Sequence, residues 1–289
     1  MALSIKELRQ EQLDNALKGS SRPRAVTPSY AAGVSYNAKL QKMLVELRKD
    51  LNRELLPAIK LMEPQYSADG WSDAIARVFR ELASKWIGDR FVLWAEHQAN
   101  AFVQQAMAIG RRKFARSAPG IGVNLYGETP DINDYIEAST KANVSLIRSI
   151  PAQHLAQVEA MVMSQMRSGV RSGAIAGQLV DKFQTTKARA KFIARDQTSK
   201  INADITKKRQ LNAGFEYFQW IDSDDEKVRD RHDYLAKRDV GYGPGVYRWD
   251  DLPVSDSGQK ISPGMDYQCR CTAKPMTQRM VDALIIKSA

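Results

Sequence analysis

The sequence predicts an α+β protein with mostly helical N-terminal two thirds, followed by a small mixed α/β C-terminal module with short strands. Before residue 214, apolar residues recur at three- and four-residue steps, the period of an amphipathic helix. Beyond it, a β-prone aromatic stretch leads into segments rich in Gly, Pro and Asp. Both cysteines, one of three histidines and two of five tryptophans lie within residues 215–273.

The chain is predicted to divide into three parts. Residues 1–35 are polar and broken by Pro and Gly, so we expect a flexible N-terminal arm. Residues 36–128 are predicted to form a helical region, which ends at a cluster of Gly and Pro between residues 117 and 130. The final domain is predicted over 129–289, with helices up to its mixed module at 215–289.

The helical region contains three apolar stripes. The first covers residues 40–59 and ends near Pro64, because proline interrupts helix hydrogen bonding. The second covers residues 71–86, and the third begins near residue 89 and reaches about residue 110. The aromatic residues on these stripes are interpreted as core residues.

Helical periodicity resumes at Asp131. Pro151 suits the first turn of a new helix, where its missing N–H costs nothing. A short helix is predicted around residues 175–183, followed by a long one over 186–212. Gly214 is expected to close the long helix in a left-handed conformation.

The C-terminal module is predicted to begin with a strand over residues 215–221. Ser223 and Glu226 have the spacing of a capping box, which predicts a helix start at that point. That helix would carry Val228, Arg229, His232 and Leu235. A closing helix is predicted over residues 277–286.

The net charge of +10 is unevenly distributed. Residues 215–289 carry a net charge of −2, which leaves +12 on residues 1–214. An excess of cations indicates an anionic partner, of which nucleic acid is the common one, although solvated helix faces have the same composition. The candidate DNA-binding residues are Arg111, Arg112, Lys113, Arg116, Lys207, Lys208 and Arg209.

The composition argues against a membrane or secreted protein. Apolar runs fall short of the roughly 18–20 residues that a membrane span requires, and the first residues lack the apolar core of a signal peptide. The two cysteines are separated by one residue and provide no disulfide framework, which agrees with a reducing cytoplasm.

Cys269, Cys271 and His232 allow two interpretations. Thiolates and imidazole are zinc ligands, but the sequence supplies no nearby fourth ligand, and side chains two apart on a strand diverge unless the backbone bends. Two packed, reduced thiols are therefore the default interpretation, with no cofactor expected.

His232 also permits an enzymatic hypothesis. With Arg229, Arg231 or Arg270 it forms a sufficient set for metal-independent, ribonuclease-like cleavage of RNA. Carboxylates and cations flank this histidine, however, and such a histidine is more often a structural hydrogen-bonding residue. We therefore expect no enzymatic activity.

The order of these motifs resembles a known family. The run Ile193 to Thr198 leads to Gly214 and to a strand ending in Trp220, then to Val228-Arg229 and His232. After a loop rich in Gly and Pro come Pro263-Gly264 and Cys269-Arg270-Cys271. Over roughly residues 140–275 this series resembles the phage Mu protein F-like family, also called the phage head morphogenesis family.

The resemblance implies a minor head protein of a tailed phage. Such a protein would be located in the virion at the portal vertex, with several copies per particle, and in the host cytoplasm during assembly. Its partners would be the portal protein, the major capsid protein, or both, and packaged double-stranded DNA. In this interpretation the structural core of the module consists of Trp220, Arg229, His232, Cys269, Arg270 and Cys271.

Overall fold

The computed structural model describes residues 11, 13–15, 23–26, 30–66, 70–117 and 130–288. Most of the predicted arm and most of the predicted boundary between residues 117 and 130 lie outside these residues. The three-part division of the chain therefore remains a prediction.

Helices dominate the described chain, and three short strands lie near its C-terminus, which confirms the predicted fold class. The helices are α1 (Tyr30–Asp50), α2 (Leu56–Met62), α3 (Trp71–Ile87), α4 (Asp89–Ser117), α5 (Pro130–Arg167), α6 (Ser172–Asn212), α7 (Asp230–Lys237) and α8 (Gln278–Ser288). The strands are β1 (Tyr217–Ile221), β2 (Val246–Arg248) and β3 (Thr272–Met276). No helix of the described residues is long and apolar enough to cross a membrane.

Two predicted helix breaks are wrong. Pro151 lies inside α5, where buried Ile147, Ile150 and Leu155 continue one stripe across it. Packing of that stripe compensates for the single backbone hydrogen bond that proline removes. Residues 175–183 and 186–212 likewise form one helix, α6, in which the hydroxyls of Thr185 and Thr186 bond to carbonyls one turn earlier.

A π-helical turn, Leu51–Leu55, joins α1 to α2. Pro57 follows in the first turn of α2, where its ring would crowd the carbonyl four residues earlier in a regular helix. The wider turn relieves that crowding. Pro64 then lies in a short 3₁₀ turn, Glu63–Gln65, close to the predicted end of this helical segment.

The chain divides into two compact units. The first, here called the helical unit, comprises Gly33–Phe102 and Glu137–Arg195. The second, here called the module unit, comprises Met1–Ala32, Val103–Ile136 and Asp196–Ala289. The long helices α4, α5 and α6 each contribute residues to both units.

Asp50 is a buried carboxylate in the helical unit. Trp86 Nε1 donates to it at 2.9 Å, and Lys85 and Arg53 form ion pairs with its two oxygens at 2.5 and 2.7 Å. Burial alone would raise the pKa of Asp50, but the hydrogen bonds of Lys85 and Trp86 hold it below its ordinary value. The carboxylate therefore stays charged and links α1 to α3.

The module unit contains an antiparallel sheet in the order β2-β1-β3. Phe218 in β1 pairs with Tyr247 in β2 and with Pro275 in β3. Gly214, with φ of 89°, ends α6 as predicted and turns the chain toward β1. One apolar cluster of this unit packs Phe218 and Trp220 against Leu235 of α7, Tyr247 and Trp249.

Candidate functional site

A histidine and two cysteines meet beside β1 in the module unit. His232 lies in α7, Trp220 in β1, and Cys269 and Cys271 in the segment that enters β3. His232, Cys269 and Cys271 are each at least 96% buried. The ring nitrogen Nδ1 of His232 lies 3.5 Å from Cys269 Sγ and 3.6 Å from Cys271 Sγ. These three residues, here called the His-Cys-Cys cluster, combine segments that are 37 residues apart in sequence.

The predicted capping box does not form. Helix α7 begins at Asp230, and Val228 and Arg229 precede it. The carboxylates of Asp222 and Asp225 instead each accept a hydrogen bond from the backbone N–H two residues later in the chain. These bonds form local turns where a helix start was predicted. His232 and Leu235 are helical and buried, in agreement with the predicted helix.

The two thiols converge because their backbone is not extended. Both cysteines precede β3, and Gln268 next to them has a positive φ of 53°. Turns also close at this point, since Met265 N donates to Ser262 O and Cys269 N donates to Asp266 O. The segment is bent, which is the condition under which side chains of this spacing were expected to converge.

Backbone donors surround the sulfur of Cys269. The N–H groups of Gly264 and Cys271 both point at Cys269 Sγ, each with N···S of 3.4 Å. Gly264 has φ of 87°, and a Cβ there would lie 2.9 Å from Ala203 Cβ, so glycine is required. Two N–H donors on one sulfur favour its thiolate form.

Asp266 holds the other side of the histidine ring. His232 Nε2 donates to Asp266 Oδ2 at 3.1 Å, and the Arg229 guanidinium pairs with the same oxygen at 3.1 Å. Arg229 also donates to the carbonyl of Tyr267. The side chain of Arg229 is exposed and contacts Asp266 from the surface. It is therefore not part of the structural core to which the sequence-based prediction assigned it.

The ionisation of the cluster is shared among its members. The hydrogen bond from Cys271, followed by His232, lowers the pKa of Cys269 to about 5 against the effect of burial. The neighbouring Cys269 sulfur and burial raise the pKa of Cys271. The hydrogen bond to Cys269, and then Asp266, raises the pKa of His232. These shifts favour a thiolate at Cys269, a protonated thiol at Cys271 and a protonated ring at His232.

Trp220 covers the cluster. Its ring lies edge-on to His232 with centroids 5.5 Å apart. The indole N–H of Trp220 is buried and has no hydrogen-bond acceptor among the described residues by the usual distance and angle limits. Its interaction with Cys271 acts to lower the pKa of that thiol and so favours the thiolate. A buried donor without an oxygen acceptor is unusual, and a negatively charged sulfur is a chemically suitable partner for it.

Arg270 lies between the cysteines but points away from them. Its guanidinium makes a two-pronged ion pair with Asp225, and its side chain is 28% exposed. It therefore fixes the turn that precedes α7 and is not a core residue, in contrast to the sequence-based assignment.

Three residues of α6 and its surroundings were missed by the sequence analysis. Buried Asp196 accepts the N–H of Gln268 at 3.1 Å and pairs with Lys200. Buried Gln210 donates to Ala273 O at 2.9 Å and accepts the indole N–H of Trp249. Asp266 was also missed. A polar residue inside an otherwise apolar stripe of α6 is the signal that could have identified Gln210.

The candidate DNA-binding residues occupy different environments in the module unit. Arg111, Arg112 and Arg116 are exposed, while Lys113 is half-buried. Lys207 and Lys208 lie over the rings of Trp249 and Tyr135, each at 5.7 Å from the centroid. Arg209 is buried and donates to the carbonyl of Met107, so it joins α6 to α4 and is not available to a phosphate.

The helical unit has a large groove of its own. Its volume is about 1010 Å³, and Trp86, Phe91 and Trp94 line it together with Lys39 and Lys42. The groove lies outside the residues that carry the family resemblance, and it contains no cluster of metal-ligating residues among the described residues.

Comparison with known proteins agrees with the resemblance. Residues 156–274 match the family model described as phage Mu protein F-like protein. The chain is 29% identical over 285 residues to an uncharacterized protein of Haemophilus influenzae, which covers 96% of this chain. The chain spans 59% of the length of that relative. No solved structure matches the chain.

The matched residues contain the last third of α5 and all of α6, α7 and the His-Cys-Cys cluster. Strands β1 and β2 and most of β3 also fall inside the match. The segment that builds the candidate site therefore lies within the match to the phage Mu protein F-like family.

Proposed function

We propose that this protein is a minor head protein that acts in the head morphogenesis of a tailed phage and resides in the virion. The observation that carries the proposal is the family match over residues 156–274, which covers the whole candidate site. The relative that aligns along 96% of the chain extends the likeness to the helical region before the match.

Its partners are the portal protein, the major capsid protein, or both. Its position is the portal vertex, where several copies act in assembly and in DNA packaging or delivery. The module unit suits such a role because its buried polar contacts, such as Gln210 to Ala273 and Asp196 to Gln268, hold its loops without a large core. A rigid module of this kind can fit between larger proteins.

Packaged DNA is a further partner in this proposal. Arg111, Arg112 and Arg116 are exposed on α4, and α4 touches α6 where Arg209 bonds to Met107. Lys207 and Lys208 lie on α6 beside this contact. We propose that Arg111, Arg112, Arg116, Lys207 and Lys208 act together as a basic surface for phosphates.

A ribonuclease-like activity has little support in the geometry. Both ring nitrogens of His232 are engaged, one by Asp266 and the other by the two sulfurs. The imidazole is 4% exposed, whereas a general base must reach the proton it removes. Arg270 points to Asp225, and Arg229 to Asp266. A structural, non-enzymatic role is therefore proposed for the module.

Co-expression tests the proposal. The tagged full chain is produced together with the portal protein and the major capsid protein encoded in the same genome, and complexes are separated by size and imaged by electron microscopy. We expect the chain to co-purify with portal rings and to appear as added density at their vertex.

Particles provide the second measurement. Mass spectrometry of purified virions should detect the chain at several copies per particle, and loss of the gene should reduce the yield of filled heads. Virions that lack the chain, together with a chain that elutes alone beside intact portal and capsid proteins, would contradict the proposal.

A further inference from the structure

The His-Cys-Cys cluster brings more metal-ligating atoms together than hydrogen bonding in a protein core requires. Three metal-ligating atoms, one nitrogen and two sulfurs, lie within 4.8 Å of one another in the interior of the module unit. The three residues come from two separate segments, α7 and the approach to β3. We propose that His232 Nδ1, Cys269 Sγ and Cys271 Sγ bind a zinc ion, with a water molecule as the fourth ligand.

The distances between the ligand atoms fit a tetrahedral ion. With Zn–N of about 2.05 Å and Zn–S of about 2.3 Å, the edge of a tetrahedron that joins nitrogen to sulfur is about 3.6 Å long. The two observed Nδ1···Sγ separations are 3.5 and 3.6 Å. Both nitrogen–sulfur edges therefore already have the length that a tetrahedral zinc site requires.

The ligand chemistry selects zinc among the common divalent ions. Thiolates with imidazole form tetrahedral zinc sites, whereas Mg²⁺ and Ca²⁺ require oxygen ligands. Two thiolates also balance the charge of Zn²⁺, so the buried cluster stays neutral when the ion replaces the two protons held between Nδ1 and the sulfurs. Neutrality removes most of the cost of burying the ion.

The groups around the ligands orient them for a metal. Asp266 accepts the proton of His232 Nε2, so Nδ1 faces the two sulfurs and can bind a metal through its lone pair once the Nδ1 proton is displaced. The N–H groups of Gly264 and Cys271 point at Cys269 Sγ, and the indole N–H of Trp220 interacts with Cys271. Donors of this kind stabilise metal-bound thiolates.

The fourth position is assigned to water because the described residues bring no fourth His, Cys, Asp or Glu into the cluster. A cavity of about 20 Å³ borders both cysteines and Gly264. That volume is sufficient for one water molecule. The bound ion would connect α7 to the segment before β3, and the site is therefore a structural one that stabilises the module.

Metal analysis of the full chain tests the zinc site. The protein is purified without chelators, dialysed against Zn²⁺ and then against metal-free buffer, and its metals are measured by mass spectrometry. We expect about one zinc per chain. Replacement of zinc by Co²⁺ should give the intense visible absorption and the sulfur-to-cobalt charge-transfer band of a tetrahedral thiolate site.

Variants distinguish the ligands from other residues. Cys269→Ser, Cys271→Ser and His232→Ala should each abolish zinc retention, and Asp266→Asn should weaken zinc affinity by about 10–100-fold. His97→Ala, which removes an exposed imidazole of the helical unit, should retain the metal like the wild type.

If a ligand variant does not fold, the wild-type chain alone still tests the zinc site. A folded wild-type chain that takes up neither Zn²⁺ nor Co²⁺, and whose two thiols react with an alkylating agent equally with and without added zinc, would overturn the assignment. The cluster would then be a hydrogen-bonded thiol–imidazole core. Retention of a different metal by the purified chain would also overturn it.

Discussion

His154 is a buried histidine of the helical unit that illustrates how one residue can set pH sensitivity. Its ring is 2% exposed, and Nδ1 lies 2.8 Å from the hydroxyl of Thr186, which also bonds to the Lys182 carbonyl. Since that hydroxyl donates to the carbonyl, it accepts the proton of Nδ1. Burial lowers the pKa of His154 to about 4.

The low pKa predicts a loss of stability in acid. Above about pH 6.5 the ring of His154 is neutral in the folded and the unfolded state, so its ionisation does not reduce the free energy of unfolding. Between about pH 6.5 and 4 only the unfolded chain takes up the proton, and stability falls, by about 2 kcal/mol at pH 5. We expect His154→Leu to remove this part of the pH dependence, measured by thermal unfolding at pH 7 and pH 5.

The control for this experiment is His97→Leu, which removes an exposed histidine of the same unit. That variant should retain the pH dependence of the wild type. An unchanged loss of stability at pH 5 in His154→Leu would show that another group is responsible.

Single residues also show what sequence reasoning can and cannot reach. Trp220, His232, Cys269 and Cys271 stand out because they are rare and chemically special, and the sequence alone places them in one module. Asp266 and Asp196 are as important to the geometry, but they are common residues whose partners lie 34 and 72 positions away. Their roles depend on long-range contacts that have no local pattern.

At the scale of elements, Gly245 joins α7 to the sheet. It has φ of 69°, its N–H donates to Arg238 O, and its carbonyl accepts the N–H of Trp220. A Cβ at this position would lie 2.3 Å from the carbonyl oxygen of Ala236, which is backbone and cannot move aside.

Gly245→Ala is therefore expected to destabilise the module by more than about 4 kcal/mol. Gly241→Ala is the matched control, because Gly241 also has a positive φ, of 98°, but has no atom within 4 Å of the added methyl group. The control should cost about 1–2 kcal/mol. Urea unfolding and hydrogen exchange of module peptides measure both effects, and equal losses would exclude the steric explanation.

Elements were predictable where local pattern and packing agree. The helix predicted over residues 71–86 is observed as Trp71–Ile87, and the predicted closing helix is observed as Gln278–Ser288. The prediction failed at Ser223–Glu226 because the aspartates of that segment bond to their own backbone, and local turns replace the helix start. Pro151 misled because the packed stripe of α5 outweighs one lost hydrogen bond.

At the scale of the whole molecule, the division of charge predicts a salt-dependent affinity for DNA. The full chain should bind double-stranded DNA with an affinity that falls steeply with salt concentration. The triple substitution Arg111→Ala, Arg112→Ala and Arg116→Ala should reduce the slope of log affinity against log salt by up to about three units. Fluorescence anisotropy across a salt series measures that slope.

The matched control removes three arginines that are exposed in the helical unit, Arg77, Arg80 and Arg90. Since both triple variants lose the same charge, a general effect of net charge would lower the slope equally in both. A specific basic surface would lower the slope mainly in the variant that lacks Arg111, Arg112 and Arg116. Equal slopes in the two triple variants would remove that surface from the proposed function.

The outer edge of β3 has a consequence for how the molecule can polymerise. Pro275 offers no backbone N–H to an incoming chain, and the carbonyl of Ala273 is already taken by Gln210. Strand addition at this border is therefore blocked, which protects the protein from growing into fibrils. Among the described strands, an intermolecular sheet would have to start from β2, a border only three residues long.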